Sequence, residues 1–129
     1  MKGHKEVVEL WFRKADEDEL NIKSILKHKD GTPAAACFLA QQMAEKYLKG
    51  LLIFAKNDLL KIHDLVKLAE VLSESFPDIS AIHDEASMLS GFYIEARYPG
   101  DFPEFSWAEA EEAYESAKII KKFVSGKAG

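Results

Sequence analysis

The sequence predicts an all-α fold, an antiparallel bundle of four long helices plus one shorter helix. Three observations lead there. Apolar residues recur at three- and four-residue spacing along most of the chain. No run alternates apolar and polar residues as a half-buried strand would. Breaks at Gly31-Thr32-Pro33, Phe76-Pro77 and Pro99-Gly100 divide the periodic stretches into helix-length pieces. At 129 residues, 47% of them hydrophobic and 30% charged, the chain is expected to form one globular domain, residues 1–129.

The first helix is expected over Lys5 to Lys29, with Val7, Trp11, Ala15, Ile22, Ile25 and Leu26 on one stripe and Gly31 as its terminal cap. Asp18 falls on that stripe. A carboxylate there is costly to bury unless something donates to it, so it either reaches water at the border or joins a buried polar network. Thr32 as N-cap and Pro33 at the first helical position open the central helix, Pro33 to Lys56. Cys37, Ala40, Ala44, Leu48, Leu51 and Ala55 share one of its faces, flanked by Met43, Tyr47 and Phe54. Gln42, Glu45, Lys46, Lys49 and Lys56 form its solvent arc. A helix apolar around most of its circumference is packed by neighbours on several sides. Gln41, beside Leu48 and Leu52, should be at least partly buried and must find hydrogen-bond partners.

Asn57-Asp58 marks the exit from the central helix, and a third helix follows from about Asp64 to Ser75, with Leu65, Leu68, Ala69 and Leu72 inward. Phe76-Pro77 stops it, because a residue before proline is pushed out of helical geometry. The fourth helix, Ile79 to Ala96, repeats Ile79, Ile82, Ala86, Leu89, Tyr93 and Ala96; Gly91 within it suggests the close approach of a backbone or ring. The connection from Pro99 to Ser106 is the only irregular stretch long enough to line a site, and its Phe102–Phe105 segment is a candidate pairing surface. Ser106-Trp107-Ala108-Glu109 is a capping box. It opens the last helix, with Trp107, Ala110, Ala113, Tyr114, Ala117, Ile120 and Val124 as its stripe and Gly126 as its end.

Charge and motifs exclude several function classes. Net charge is −5, and among seventeen basic residues only Arg13 and Arg97 are arginines. The basic stripe by which proteins hold long polyanions is missing, so long nucleic acid is not an expected partner. The start, MKGHKEVVELW, lacks a signal-like apolar stretch, no run reaches membrane-span length, and Cys37 has no second cysteine. These point to a cytoplasmic protein free of membrane. There is no glycine-rich phosphate loop, Glu-x-x-His, His-x-x-x-His or cysteine cluster, so no metal site or covalently bound cofactor is expected. His4, His28, His63 and His83 are scattered and read first as surface or capping residues.

What remains is polar residues at helix ends. His63 and Asp64 open the third helix; Tyr93 and Arg97, four apart, share a face of the fourth, with Tyr98 and Asp101 beyond. Arginine suits bidentate contact with phosphate or carboxylate. Arg97 therefore either meets an anionic ligand or is consumed in an ion pair with Asp101, Asp64 or Asp18.

The segments ACFLAQQMAEKYLK from Ala36, Ile62-His-Asp-Leu, and Tyr93-Ile-Glu-Ala-Arg-Tyr-Pro-Gly-Asp, with the opening Trp11, Ala15 and Asp18, resemble the HEPN domain (higher eukaryotes and prokaryotes nucleotide-binding) of the stand-alone prokaryotic type. The resemblance covers nearly the whole chain. It implies a bundle similar to the C-terminal half of aminoglycoside nucleotidyltransferases, a homodimer, and a separately encoded small nucleotidyltransferase as partner, in some cases as toxin and antitoxin. It also implies a cleft lined by Gln41, Gln42, His63, Asp64, Tyr93, Arg97, Tyr98 and Asp101, taking a purine nucleotide with or without magnesium. Two departures bear on activity. Leu39 stands where many relatives have the histidine of Phe-His-Ala-Gln-Gln. The ribonuclease branch carries arginine followed four to six residues later by histidine, and neither Arg13 nor Arg97 has a histidine in that window. A general base missing from its place cannot move the proton, so a non-catalytic nucleotide-binding accessory domain is expected. A metal-independent endoribonuclease using His63 with Arg97 is the alternative, and a purely structural oligomerising bundle a further one.

Overall fold

Helix α1 spans His4–His28 and α2 Pro33–Lys56, and the turn between them is set by two left-handed residues. Lys29 takes φ 55° immediately after α1 and its N–H returns to the Ile25 carbonyl at 2.8 Å. Gly31, the expected cap, lies two residues further on, also left-handed at φ 78°. Thr32 then caps α2, its Oγ accepting from the Ala35 N–H at 3.2 Å. This computed structural model describes residues 4–56, 61–93 and 104–128. Asn57–Leu60 and most of the Pro99–Ser106 connection, Phe102 included, lie outside them.

Helix α2 is the hub of the bundle. Its Met43, Leu48, Leu51 and Leu52 are fully buried, each stabilising the fold by roughly 1.5–3 kcal/mol. Helix α1 runs antiparallel to it, as the pairing of Phe12 with Gly50 and of Asp18 with Lys46 requires. Helix α1 contributes Ala15 and Ile22 to the core, and Val8 rather than the expected Val7.

Helix α3, Leu65–Leu72, turns Leu65, Leu68 and Leu72 inward. It stops earlier than Ser75, and Phe76 stands in non-helical geometry (φ −133°, ψ 80°) before Pro77, the effect expected of a residue preceding proline. The fourth segment departs from a single run over Ile79–Ala96. It opens as a 3-10 helix, Pro77–Ile82, and becomes α-helical only over His83–Ser90, here α4. Pro77 at the first position and the three-residue spacing of Ile79 and Ile82 suit the tighter winding. The apolar phase holds nonetheless: Ile79, Ile82, Ala86 and Leu89 are all buried. Gly91 is the residue that caps α4, and a Cβ there would meet only the Met88 carbonyl at 3.6 Å, so no close approach requires it.

Helix α5, Trp107–Ala128, starts from the capping box, with the Glu109 N–H on Ser106 Oγ at 3.1 Å and the Ser106 N–H on Glu109 Oε1 at 3.0 Å. It runs through Gly126. It packs along α2 and antiparallel to α1 and α4, burying Ala110, Ala113, Ala117, Ile120 and Val124. Among the described residues there is no strand, and no helix is long and apolar enough to cross a membrane.

Candidate functional site

The site is built where the chain enters α3. Asp64 caps that helix, its Oδ1 accepting from Val66 N–H at 2.9 Å and Lys67 N–H at 3.4 Å. Ser90, the last residue of α4, ties the same turn down. Its Oγ accepts from the Leu65 N–H at 3.1 Å and donates to Asp64 Oδ1 at 3.3 Å. Asp64 Oδ1 is thereby committed to the local fold. The chain leaves α4 through Gly91 and Phe92, whose ring meets Phe105 edge-on with centroids 5.0 Å apart. The next residue, Tyr93, lays its ring on His63, with centroids at 4.7 Å and planes 11° apart.

Beneath the histidine lies a polar seam of α2 that helical-wheel reasoning assigns to solvent. Glu45 and Lys49 are each only 6% exposed. Burial is tolerable because they pair: Lys49 Nζ donates to Glu45 Oε2 at 2.8 Å, and His63 Nδ1 lies 3.0 Å from the same oxygen. Gln41, fully buried, donates from Nε2 to Glu45 Oε1 at 3.0 Å and to the His63 carbonyl at 3.3 Å. Gln42 donates in turn to Gln41 Oε1 at 2.6 Å. Gln41, Glu45 and Lys49 are spaced i, i+4, i+8, and Glu45 stands N-terminal to Lys49, the favourable order for such a pair. That spacing was the one sequence signal able to group them.

His63, Tyr93, Asp64, Ser90, Ile62, Lys61 and Lys67 line an open cavity of about 410 Å³, within the range of small-ligand sites. Lys61, Lys67 and Ser90 are lining residues that sequence reasoning missed. A larger hollow of about 840 Å³ between α1, α4 and α5 is lined by Glu111, Glu112 and Glu115, a charge that opposes an anionic ligand. Among the described residues no group of three or more His, Cys, Asp or Glu could hold a metal ion.

Of the residues singled out from sequence, the structure brings Gln41, Gln42, His63, Asp64 and Tyr93 together. Arg97, Tyr98 and Asp101 lie outside the described residues. Asp18 is paired elsewhere: buried, it accepts from Lys46 Nζ at 2.7 Å. Its α1 neighbours do likewise. Asp16 accepts from the Tyr47 hydroxyl, and Glu19 from Tyr114 Oη at 2.7 Å and Lys121 Nζ at 2.6 Å. Burial works against the charge on Glu19, but the bonds from Lys121 and Tyr114 outweigh it and hold the carboxyl below its ordinary range. Burial and these carboxylates push both tyrosine hydroxyls up.

A helical bundle with a lysine-edged aromatic cavity at one helix start is thus the class the geometry defines. The chain matches the HEPN domain over residues 8–127 and belongs to that family. Its fold is similar to the crystal structure of TT1696 from Thermus thermophilus, at 32% identity and a TM-score of 0.80, over 93% of this chain and 97% of the other. It is also similar to ST0689, described as an archaeal HEPN homologue, at 29% identity and a TM-score of 0.74 over the full length of both chains. No curated protein matches the chain.

Proposed function

We propose that the protein is a nucleotide-binding accessory domain that leaves chemistry to a partner. The reading rests on the stacked His63–Tyr93 pair beside a cavity whose rim carries Lys61 and Lys67. Flat rings offer a purine a stacking surface, and lysines offer phosphate a positive charge. Arg97, four residues beyond Tyr93 in sequence, is a further phosphate contact in this proposal. The proposal extends to a homodimer and a separately encoded small nucleotidyltransferase as partner, as the resemblance implies, with a toxin–antitoxin pairing as one form of that partnership.

Calorimetric titration with ATP, GTP and AMP, with and without magnesium, tests the binding. Stacking on an aromatic ring contributes about 1–3 kcal/mol per base, so His63→Ala should weaken affinity about tenfold while the bundle still melts cooperatively. Absence of heat from folded protein at millimolar nucleotide removes the proposal. Cleavage of labelled RNA that disappears in Arg97→Ala replaces it with the ribonuclease reading.

A further inference from the structure

We infer that Glu45 is a positioning residue that fixes the proton of His63 on Nδ1 and leaves Nε2 as a bare hydrogen-bond acceptor at the cavity. For its ligand half the inference rests on the nucleotide reading of that cavity; its tautomer half stands alone.

The argument begins with what a carboxylate can do. Ionised, it only accepts, so the ring nitrogen 3.0 Å from Glu45 Oε2 must carry the hydrogen. The second nitrogen of a neutral ring is then unprotonated, and Nε2 has no hydrogen-bond partner among the described residues. Two contacts keep the carboxylate from turning away, and a third ties one of its donors to the histidine's own backbone. Lys49 Nζ holds Oε2 at 2.8 Å, Gln41 Nε2 holds Oε1 at 3.0 Å, and the same Gln41 amide reaches the His63 carbonyl at 3.3 Å. Glu45 and Lys49 are 6% exposed and Gln41 fully buried, so this frame belongs to the interior. The His63 side chain, by contrast, is 49% exposed. With Nδ1 turned inward to α2, Nε2 lies on the opposite edge of this half-exposed ring. Tyr93, stacked on the ring face, restricts its rotation. Orientation of an imidazole by a carboxylate on its other nitrogen is a recurrent way of setting tautomer and basicity.

A fixed acceptor selects ligands that present an N–H or O–H. In AMP these are the exocyclic amine of the base and the ribose hydroxyls. A nucleotide lacking the recognised donor should bind about five- to tenfold more weakly, the usual effect of leaving unpaired an acceptor that the bound ligand covers.

The tautomer is read directly from a long-range 1H–15N correlation spectrum of the uniformly 15N-labelled full chain at about pH 8.5, where an ordinary imidazole is neutral. Loss of its signals in His63→Gln assigns the ring. The expected result is a protonated Nδ1 and an unprotonated Nε2. In Glu45→Met/Lys49→Met, which removes both charges so that neither is left buried alone, the proton should move to Nε2 for most of the population. An Nε2–H ring in the unaltered protein overturns the inference whether or not the double variant folds, and so does an Nδ1–H ring that persists in a folded variant. AMP should then displace the Nε2 resonance. Purine riboside 5′-monophosphate, which lacks the exocyclic amine and gains no ring N–H, and 2′- and 3′-deoxy-AMP identify which donor is read. Binding that leaves Nε2 unmoved overturns the acceptor role. Absence of binding with the Nδ1–H ring in place overturns the nucleotide reading and sustains the tautomer.

Discussion

Cys37 has no exposed surface, and burial, aided by the nearby Glu109 carboxylate, pushes its thiol up to about 11. At pH 8 a thiol with that value is ~0.1% thiolate, and thiolate is the reactive species. Ellman's reagent should therefore find no reactive thiol in the native protein over minutes and one equivalent after denaturation; rapid native labelling would contradict the packing around α2. The burial of Cys37 could be read from its place on an apolar stripe. That of Glu45 and Lys49 could not, because a helical wheel sees only its own helix. What covers them comes from elsewhere in the chain, the His63 turn above Glu45 and Trp11 of α1, whose ring centre lies 6.0 Å from Lys49 Nζ. The same blindness hid Lys61 and Lys67. Nothing in composition marks two surface lysines as neighbours of one cavity until the turn at Asp64 places them.

At the scale of elements, the crossing of α1 over α2 turns on one missing side chain. A Cβ on Gly50 would stand 2.5 Å from Phe12 Cε1 and 3.2 Å from the Trp11 Cβ. Alanine should raise the intrinsic helix propensity of α2 by about 1 kcal/mol. It would also force the Phe12 ring from its place against Tyr47, where the centroids are 5.7 Å apart, and overpacking of this kind costs about 1–3 kcal/mol. The clash should win. Gly50→Ala is expected to melt about 3 °C lower, and adding Phe12→Leu should recover most of that loss. A Gly50→Ala protein that melts higher would show that Phe12 yields freely. Sequence pattern pointed instead to Gly91, because a glycine inside an apolar period looks like a close approach; there the helix simply ends. The apolar phase of that segment was legible, its winding was not, since spacings of three suit a 3-10 helix and an α-helix alike.

Among the described residues, helix order and most of the inward apolar positions were legible because three- and four-residue periodicity is a local property; of the four long helices expected, α1, α2 and α5 are long and α4 is α-helical only over His83–Ser90. The charge network joining α1, α2 and α5 was not, being made of residues far apart in sequence. Glu19 of α1 is clasped by Tyr114 and Lys121 of α5, and Lys121 reaches Asp16 at 3.4 Å while Asp16 takes the Tyr47 hydroxyl of α2. The network predicts the pH limits of the fold. The Glu19 carboxyl is held below its ordinary value of about 4.3, so its stabilisation is complete above that pH and drains away as pH falls through the folded value. Burial opposes the charge on Lys121, but the bond from Glu19 prevails and holds its ammonium above the ordinary value of about 10.4, while Tyr47 and Tyr114 lie above their ordinary value of about 10. Those contributions are complete below pH 10 and are lost as pH rises further. Melting temperature should thus form a plateau between about pH 4.5 and 8.5; above it the buried Cys37 thiol, held up to about 11, is the first contribution to be lost, before those of Lys121 and the two tyrosines. Replacing Glu19 by Gln should destabilise by roughly 1.5–3 kcal/mol on that plateau, the usual loss of a hydrogen bond to a charged group. The difference between the two proteins should shrink towards zero as pH drops below 4, where the unaltered carboxyl is itself taking up its proton. A difference that stays constant down to pH 3 would mean that Glu19 acts there by shape alone, and that the clasp of α5 onto α1 owes nothing to its charge.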